Sequence, residues 1–392
     1  MCRFGARPWN DPVTIPGTEA RLEGDRIADL RSPGGALISL YAGRPSPGGF
    51  AALLSDLLKP IRERSSHLDR VIQKSVRNDV EQIRDLADEL ELDSAPGYAV
   101  FASSLDGMFV IEPLSHQVAD VSTIGPRPYM RPLRATPRAL RSGIIVADST
   151  LARTFSAMEG IVDEVKAPMA ADIGSRTWGG FSGYEEHTVR SRAEELTARL
   201  WRDAGERLLE RHLRQPFDYV AVGGHEEAVE EIARALHPYL ARLPRETFNV
   251  NAQTIGLPAL RAEVSAMDRE MRRHRQGALA GRVCDTAWSG GNALLGLGDA
   301  IEAANAQAID TLVVAGPFTR PGVICDSCGH LARGGDICPI CGAGLFPVDD
   351  VVGALMESAV TAGGLVSQIS VASPLDSHGV GALTRFPVAV RA

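Results

Sequence analysis

Long apolar runs are missing from this chain. No stretch of about 18 apolar residues occurs, and the opening MCRFGARPWNDPVTIPG has no apolar h-region. A membrane-spanning helix is therefore excluded from the reading, no membrane partner is expected, and a cytoplasmic protein is. Lysine is nearly missing too: Lys59, Lys74 and Lys166 are the only ones. With abundant alanine and glycine beside it, that skew reads as compositional bias and carries no function. Three catalytic signatures are also lacking: there is no Walker loop, no G-x-S-x-G elbow and no H-E-x-x-H. The net charge of −8 argues against a simple basic nucleic-acid binder, although local basic patches can sit inside an acidic total.

What is present suits a multidomain globular chain. The 392 residues, 44% hydrophobic and 23% charged, can bury a sizeable core and set a prior of two to three domains. Helical and strand patterns alternate in each part, which predicts an α/β fold of three mixed domains at 1–140, 141–256 and 257–392. In the first, a strand is expected over 36–44, a helix over 50–59, a long polar helix over 65–92 and a hairpin over 97–113 with Asp-Gly at its turn. The second carries a strand over 143–148, a helix over 184–213, a strand over 217–224 and a helix over 225–242. The third opens near Leu257, with a basic helix over 267–277.

Four of the six cysteines form one cluster. ICDSCGHLARGGDICPICGAG places Cys325 and Cys328, then Cys338 and Cys341, as two C-x-x-C-G turns separated by nine residues. Each turn lets two thiolates share one ion, and the following glycine permits the positive φ of the knuckle. Four thiolates make a closed structural site for zinc, or iron in its place, with no open position for catalysis. A ribbon at 323–345, inserted in the third domain, is expected to fold with its metal. Cys2 and Cys284 stand alone, and His330 is not needed as a ligand.

Two further stretches are unusual. IGPRPYMRPLRATPRALRS holds four prolines and five arginines, with no acid between Asp120 and Asp148. It reads as a solvated linker or as an extended basic strap on phosphates, with Arg127, Arg131 and Arg134 as the contacts. In RTWGGFSGYEEHTVRSR, Gly179 and Gly180 precede Phe181, and a helical stripe of Val189, Ala193, Leu196, Leu200, Ala204 and Leu208 begins at once. Such a tip supplies almost no core-forming side chains. VGGHEEAVEE, by contrast, reads as a plain turn rather than a phosphate cradle.

The order of these parts resembles the archaeal and eukaryotic class-one peptide-chain release factors and their relative Pelota. GIIVAD, a Gly-Gly loop feeding a long arginine-bearing helix, and FDYVAVGG are similar to that family's middle domain. LLGLGDAIEAANAQAIDTLVVAG, the cysteine ribbon and the closing GVGALTRF are similar to its third domain, so the likeness is collinear over 143–388. The first domain matches in LISLY and in VIQKSVRND, where Lys74 and Ser75 survive from the Asn-Ile-Lys-Ser loop that reads stop codons. Ile72 and Gln73 break that tetrad. The release factors have glutamine after the two glycines, and its backbone positions the hydrolytic water. Phe181 stands there in this chain.

That departure resembles the bacterial branch of the superfamily, which includes ribosome-hibernation factors. The resemblance implies a ribosome-binding translation factor that occupies the A site without peptide release, hence no catalytic residues. It also implies partners: rRNA of the decoding and peptidyl-transferase centres, P-site tRNA and a translational GTPase. Gly179, Gly180, Phe181, Lys74, Ser75, Arg127, Arg131, Arg134, Arg190, Arg192, Arg272, Arg273 and Arg275 are the expected contacts. Two alternatives stay open. One is a release or rescue factor hydrolysing peptidyl-tRNA through Ser182 or His187, and the other is a ribosome-independent RNA-binding protein.

Overall fold

A computed structural model describes residues 27–114, 116–135, 139–171 and 183–388, the side chains of 183–190 excepted. The fold is mixed α/β. Each of the three expected segments carries a sheet, but contacts group them into two compact units, Met1–Pro137 with Gln276–Ala392, and Arg138–Arg275. The amino-terminal and carboxy-terminal segments thus share one unit. Among the described residues, no helix is long and apolar enough to cross a membrane.

The amino-terminal sheet runs Met108–Leu114, Gly97–Ser103, Leu37–Gly43, Val121–Gly125, antiparallel throughout. Its two central strands are buried along their whole length, because helices cover one face and Met130, Leu114 and their neighbours the other. The hairpin turns at Gly107, whose φ of +68° suits glycine. The expected helix over 50–59 runs on to Ser65, through Pro60. Pro60 faces solvent, and Leu54, Leu58 and Ile61 continue the buried stripe across it. The expected helix over 65–92 is instead Arg70–Asp85 and Ala87–Leu92. Asp69 caps the first by accepting from the Val71 N–H, which fixes its start, and the break falls at Leu86, whose N–H turns back to the Ile83 carbonyl.

The second unit has the sheet order Arg245–Asn249, Tyr219–Gly224, Arg141–Ala147, Leu151–Met158, Ile161–Glu164, with Met169–Ala170 beside Leu151–Met158. Helix Gly183–Arg214 lies on it through Leu200, Trp201, Ala204 and Leu208. The expected helix over 225–242 breaks into Glu226–Arg234 and Pro238–Ala241, where the His237 ring accepts from the Tyr239 N–H. Gly223 and Gly224 are packing glycines. A Cβ on Gly223 would lie 2.5 Å from the Phe248 ring, and one on Gly224 2.6 Å from the Ala147 carbonyl.

Helix Leu257–Trp288 contains the expected basic helix and crosses from the second unit into the first. The carboxy-terminal sheet follows in the order Ala293–Leu295, Val380–Thr384, Ile309–Ala315, Leu365–Ile369. Helices Leu297–Asn305 and Val351–Thr361 cover one face, while Ala280, Val283 and Leu375 pack on Val313 and Ile369 of the other.

Candidate metal centre and the seam beside it

The ribbon is a three-stranded sheet in the order Leu331–Ala332, Gly322–Cys325, Leu345–Val348. Its inner side belongs to the carboxy-terminal core, since Ile324 and Leu331 pack with Val351, Val352 and Leu355. Asn305 ties it down from helix Leu297–Asn305, its amide donating to the Leu331 carbonyl at 2.8 Å and accepting from the Leu331 N–H at 2.9 Å.

The four sulfurs of Cys325, Cys328, Cys338 and Cys341 all lie within 4.8 Å of one another. Cys325 Sγ is 3.4 Å from Cys341 Sγ, and Cys328 Sγ 3.5 Å from Cys338 Sγ. A tetrahedron built on a Zn–S bond of about 2.3 Å has edges of about 3.8 Å, so this donor set fits zinc. Gly329 and Gly342 have φ of +78° and +73°, and each donates its N–H back to the first cysteine carbonyl of its turn. Backbone N–H groups also reach sulfur: His330 to Cys328, Cys341 and Ile340 to Cys338, and Ala343 to Cys341. Burial raises the Cys338 thiol, but the Cys341 and Ile340 N–H donors, together with the Cys328 and Cys341 thiols, bring it down to about 7. An ion held by all four sulfurs would have its coordination closed, with no position left for substrate.

The arginine-rich stretch is neither a solvated linker nor an extended strap. Pro132 lies in the first turn of a one-turn helix, Arg131–Arg134, and Arg127, Arg131 and Arg134 bind acids of the carboxy-terminal segment. Arg131 is only 7% exposed. It donates to Asp350 Oδ2 at 2.8 Å, to Gln368 Oε1 at 3.2 Å and to the Gly316 carbonyl at 3.1 Å. The Tyr129 hydroxyl donates to the same Asp350 oxygen at 2.7 Å, while the Asp350 Oδ1 accepts from the Val352 N–H. Arg134 forks onto both oxygens of Glu357 at 3.0 and 3.2 Å. Arg127 donates to the Asp326 carbonyl at 2.9 Å and lies 3.5 Å from its carboxylate. These guanidiniums are committed to carboxylates within the fold, which corrects the expectation that Arg127, Arg131 and Arg134 are free for phosphates. A groove of about 1240 Å³ opens beside this seam, bordered by Arg31, Arg127, Cys328, His330 and Glu357.

The other expected contacts are scattered. Lys74 is exposed on helix Arg70–Asp85, but Ser75 is buried and holds that helix to the hairpin turn, which corrects its expected role. Its hydroxyl accepts from the Leu105 N–H at 2.8 Å, and Asp79 accepts from the Ser104 N–H at 2.9 Å. Burial raises the Asp79 carboxyl above the ordinary aspartate value, with Ser104 and Ser75 pulling the other way. The folded chain then holds that proton more tightly than the unfolded one, so stability falls as pH rises from the ordinary value through the raised one. Asp79→Asn is expected to remove this component of the pH dependence, and Asp79→Ala to cost about 1–3 kcal/mol by stranding the Ser104 N–H. Urea unfolding across a pH series checks both.

Arg275 pairs with Asp218 at 2.9 Å, Arg273 is exposed beside Glu270, and Arg272 is half-buried next to Asp268. Arg192 is exposed on helix Gly183–Arg214, whereas the Arg190 side chain and Gly179, Gly180 and Phe181 lie outside the described residues. The first buried side chain described on that helix is Thr197, 14 residues from its start. At 1.5 Å per residue, the helix therefore begins about 21 Å before that anchor.

No protein-family model and no curated protein matches the chain. Among solved structures it is similar to the archaeal translation termination factor aRF1, at 15% identity over 92% of this chain and 96% of that one, TM-score 0.25. It is similar to archaeal Pelota, described ribosome-bound with ABCE1, at 19% identity over 74% and 76%, TM-score 0.41. A third is S. cerevisiae Dom34, a translation termination-like factor described as interacting with Hbs1, at 11% identity over 74% and 81%, TM-score 0.38.

Proposed function

We propose that this chain is a ribosome-binding translation factor that occupies the A site and silences idle ribosomes without releasing the peptide. The reading is carried by Gly179-Gly180-Phe181, which Ser182 alone separates from helix Gly183–Arg214. A tip without bulky side chains at its two glycines suits a narrow RNA tunnel, and exposed Arg192 and Arg199 behind it suit phosphates. Phe181 can stack on a base, worth roughly 1–3 kcal/mol in comparable contacts. The pattern resembles the bacterial branch that includes the hibernation factor Balon, and a translational GTPase is proposed as its escort by the same resemblance.

Peptidyl-ester hydrolysis needs a group that orders water against the carbonyl. Phenylalanine after Gly180 has a backbone N–H, but its side chain carries no hydrogen-bonding group to steer that water. Incubated with ribosomes carrying peptidyl-tRNA, the protein is expected to co-sediment and to release no peptide above background. Phe181→Gln is expected to gain release, and Gly180→Val to weaken binding by stiffening the tip. Clear release by the unmodified protein overturns the silencing role. Equal binding to free RNA and to ribosomes overturns the ribosomal one.

A further inference from the structure

We propose that metal binding in the four-cysteine ribbon controls how firmly the amino-terminal segment is held against the carboxy-terminal segment. The proposal stands apart from the ribosomal reading, because it concerns contacts inside one compact unit. Asp326 occupies the turn between Cys325 and Cys328, so metal ligation shapes the residue that Arg127 grips. Arg127 lies over that knuckle: a Cβ on Gly329 would be 3.7 Å from its Nη1. A second contact comes from strand Leu345–Val348, paired with Gly322–Cys325. The Phe346 ring comes within 2.4 Å of where a Cβ on Gly35 would sit, so only glycine leaves room for it. Arg64 pairs with Asp349, one residue past that strand.

The grip on Asp326 depends on position more than on strength. Arg127 Nε and Asp326 Oδ1 are both buried, yet stand at 3.5 Å without forming a hydrogen bond. Arg31 lies close enough for the two guanidiniums to repel each other, and Asp326 is among the acids that offset this. Four thiols without an ion have no reason to stay within 4.8 Å. Once the knuckle relaxes, Arg127 loses both acceptors while the repulsion from Arg31 persists. Arg131–Asp350 and Arg134–Glu357 do not involve the ribbon and stay closed. Loosening is therefore local to 31–36 and 126–129.

Linkage makes the coupling reciprocal: if metal tightens the seam, the seam tightens metal by the same factor. The test uses the full chain and zinc alone. Affinity is measured by competition with a chromophoric chelator, and hydrogen exchange is followed with and without zinc. Arg127→Ala and Arg127→Lys, the second keeping the charge but not the fork, are expected to weaken zinc about five- to tenfold. Arg234→Ala, exposed in the other unit, is expected to leave affinity unchanged. Zinc removal is expected to raise exchange at 31–36 and 126–129 but not in helix Val351–Thr361. Unchanged affinity in both Arg127 variants, an equal loss in Arg234→Ala, or an exchange response confined to 322–348 overturns the proposal.

Discussion

A Cys338→Ser chain is expected to lose its metal, and the ribbon at 323–345 should become a preferred site of protease cleavage. The native protein is expected to carry one zinc per chain. The ribbon has three short strands and few apolar residues turned inward beyond Ile324 and Leu331, too little to hold two glycine-rich knuckles closed. Metal ligation supplies the difference, on the order of 10–16 kcal/mol in comparable structural zinc peptides. Removing one of four thiolates breaks the tetrahedron and opens a position to water. The sheet of the second unit shares no residue with the ribbon, so its unfolding transition should be unmoved. Metal content by atomic emission and limited proteolysis check the pair of outcomes. A metal-free protein that stays protected across 323–345 would falsify the zinc assignment.

Arg131→Ala is expected to destabilise the discontinuous unit by about 3–5 kcal/mol, because it leaves a carboxylate buried without its cation. Both side chains of the Arg131–Asp350 pair are 9% exposed. Asp350 would keep the Tyr129 hydroxyl and the Val352 N–H but no positive charge. The Gln368 side chain and the Gly316 carbonyl would lose their donor as well. Combining Arg131→Met with Asp350→Asn removes both charges and keeps the helix cap, so the double variant should recover a large part of the loss. Guanidinium unfolding, with hydrogen exchange in Val351–Thr361 to locate the effect, measures it. A single variant within about 0.5 kcal/mol of the native chain would show that the pair does not hold the seam.

Much of the fold was legible along the chain because it rests on local pattern. The Asp-Gly hairpin, the strands at 36–44, 143–148 and 217–224 and the two cysteine knuckles all follow from spacing over fewer than twenty residues, whereas Val121–Gly125, Leu151–Met158, Ile161–Glu164 and Arg245–Asn249 were not expected. The breaks at Leu86 and His237 were missed, since an interruption inside an otherwise helical pattern changes few positions. The seam was missed for another reason. Arg127, Arg131 and Arg134 meet their acids 199, 219 and 223 residues away, beyond any local periodicity. One signal was available: five arginines with no neighbouring acid, set against Asp326, Asp349, Asp350 and Glu357 near the other end of the chain. Ser75 shows the opposite error. A motif resemblance placed it at a contact surface, whereas its burial and its bond to the Leu105 N–H make it part of the packing.

The pairing of Arg131 with Asp350 also has a consequence in time. The two are 219 residues apart, and synthesis at about 5–20 residues per second leaves roughly 11–44 s between their emergence. Throughout that interval the amino-terminal sheet is on its own, with Arg131 still hydrated and the floor beneath Tyr129 not yet made. Arg138–Arg275, a continuous stretch, can complete its fold meanwhile. A nascent chain whose residue 275 has just emerged therefore displays a finished second unit joined to an unfinished first one. Among the described residues, the acids that close the seam all lie beyond residue 275, so the first unit is completed only after the second has been made.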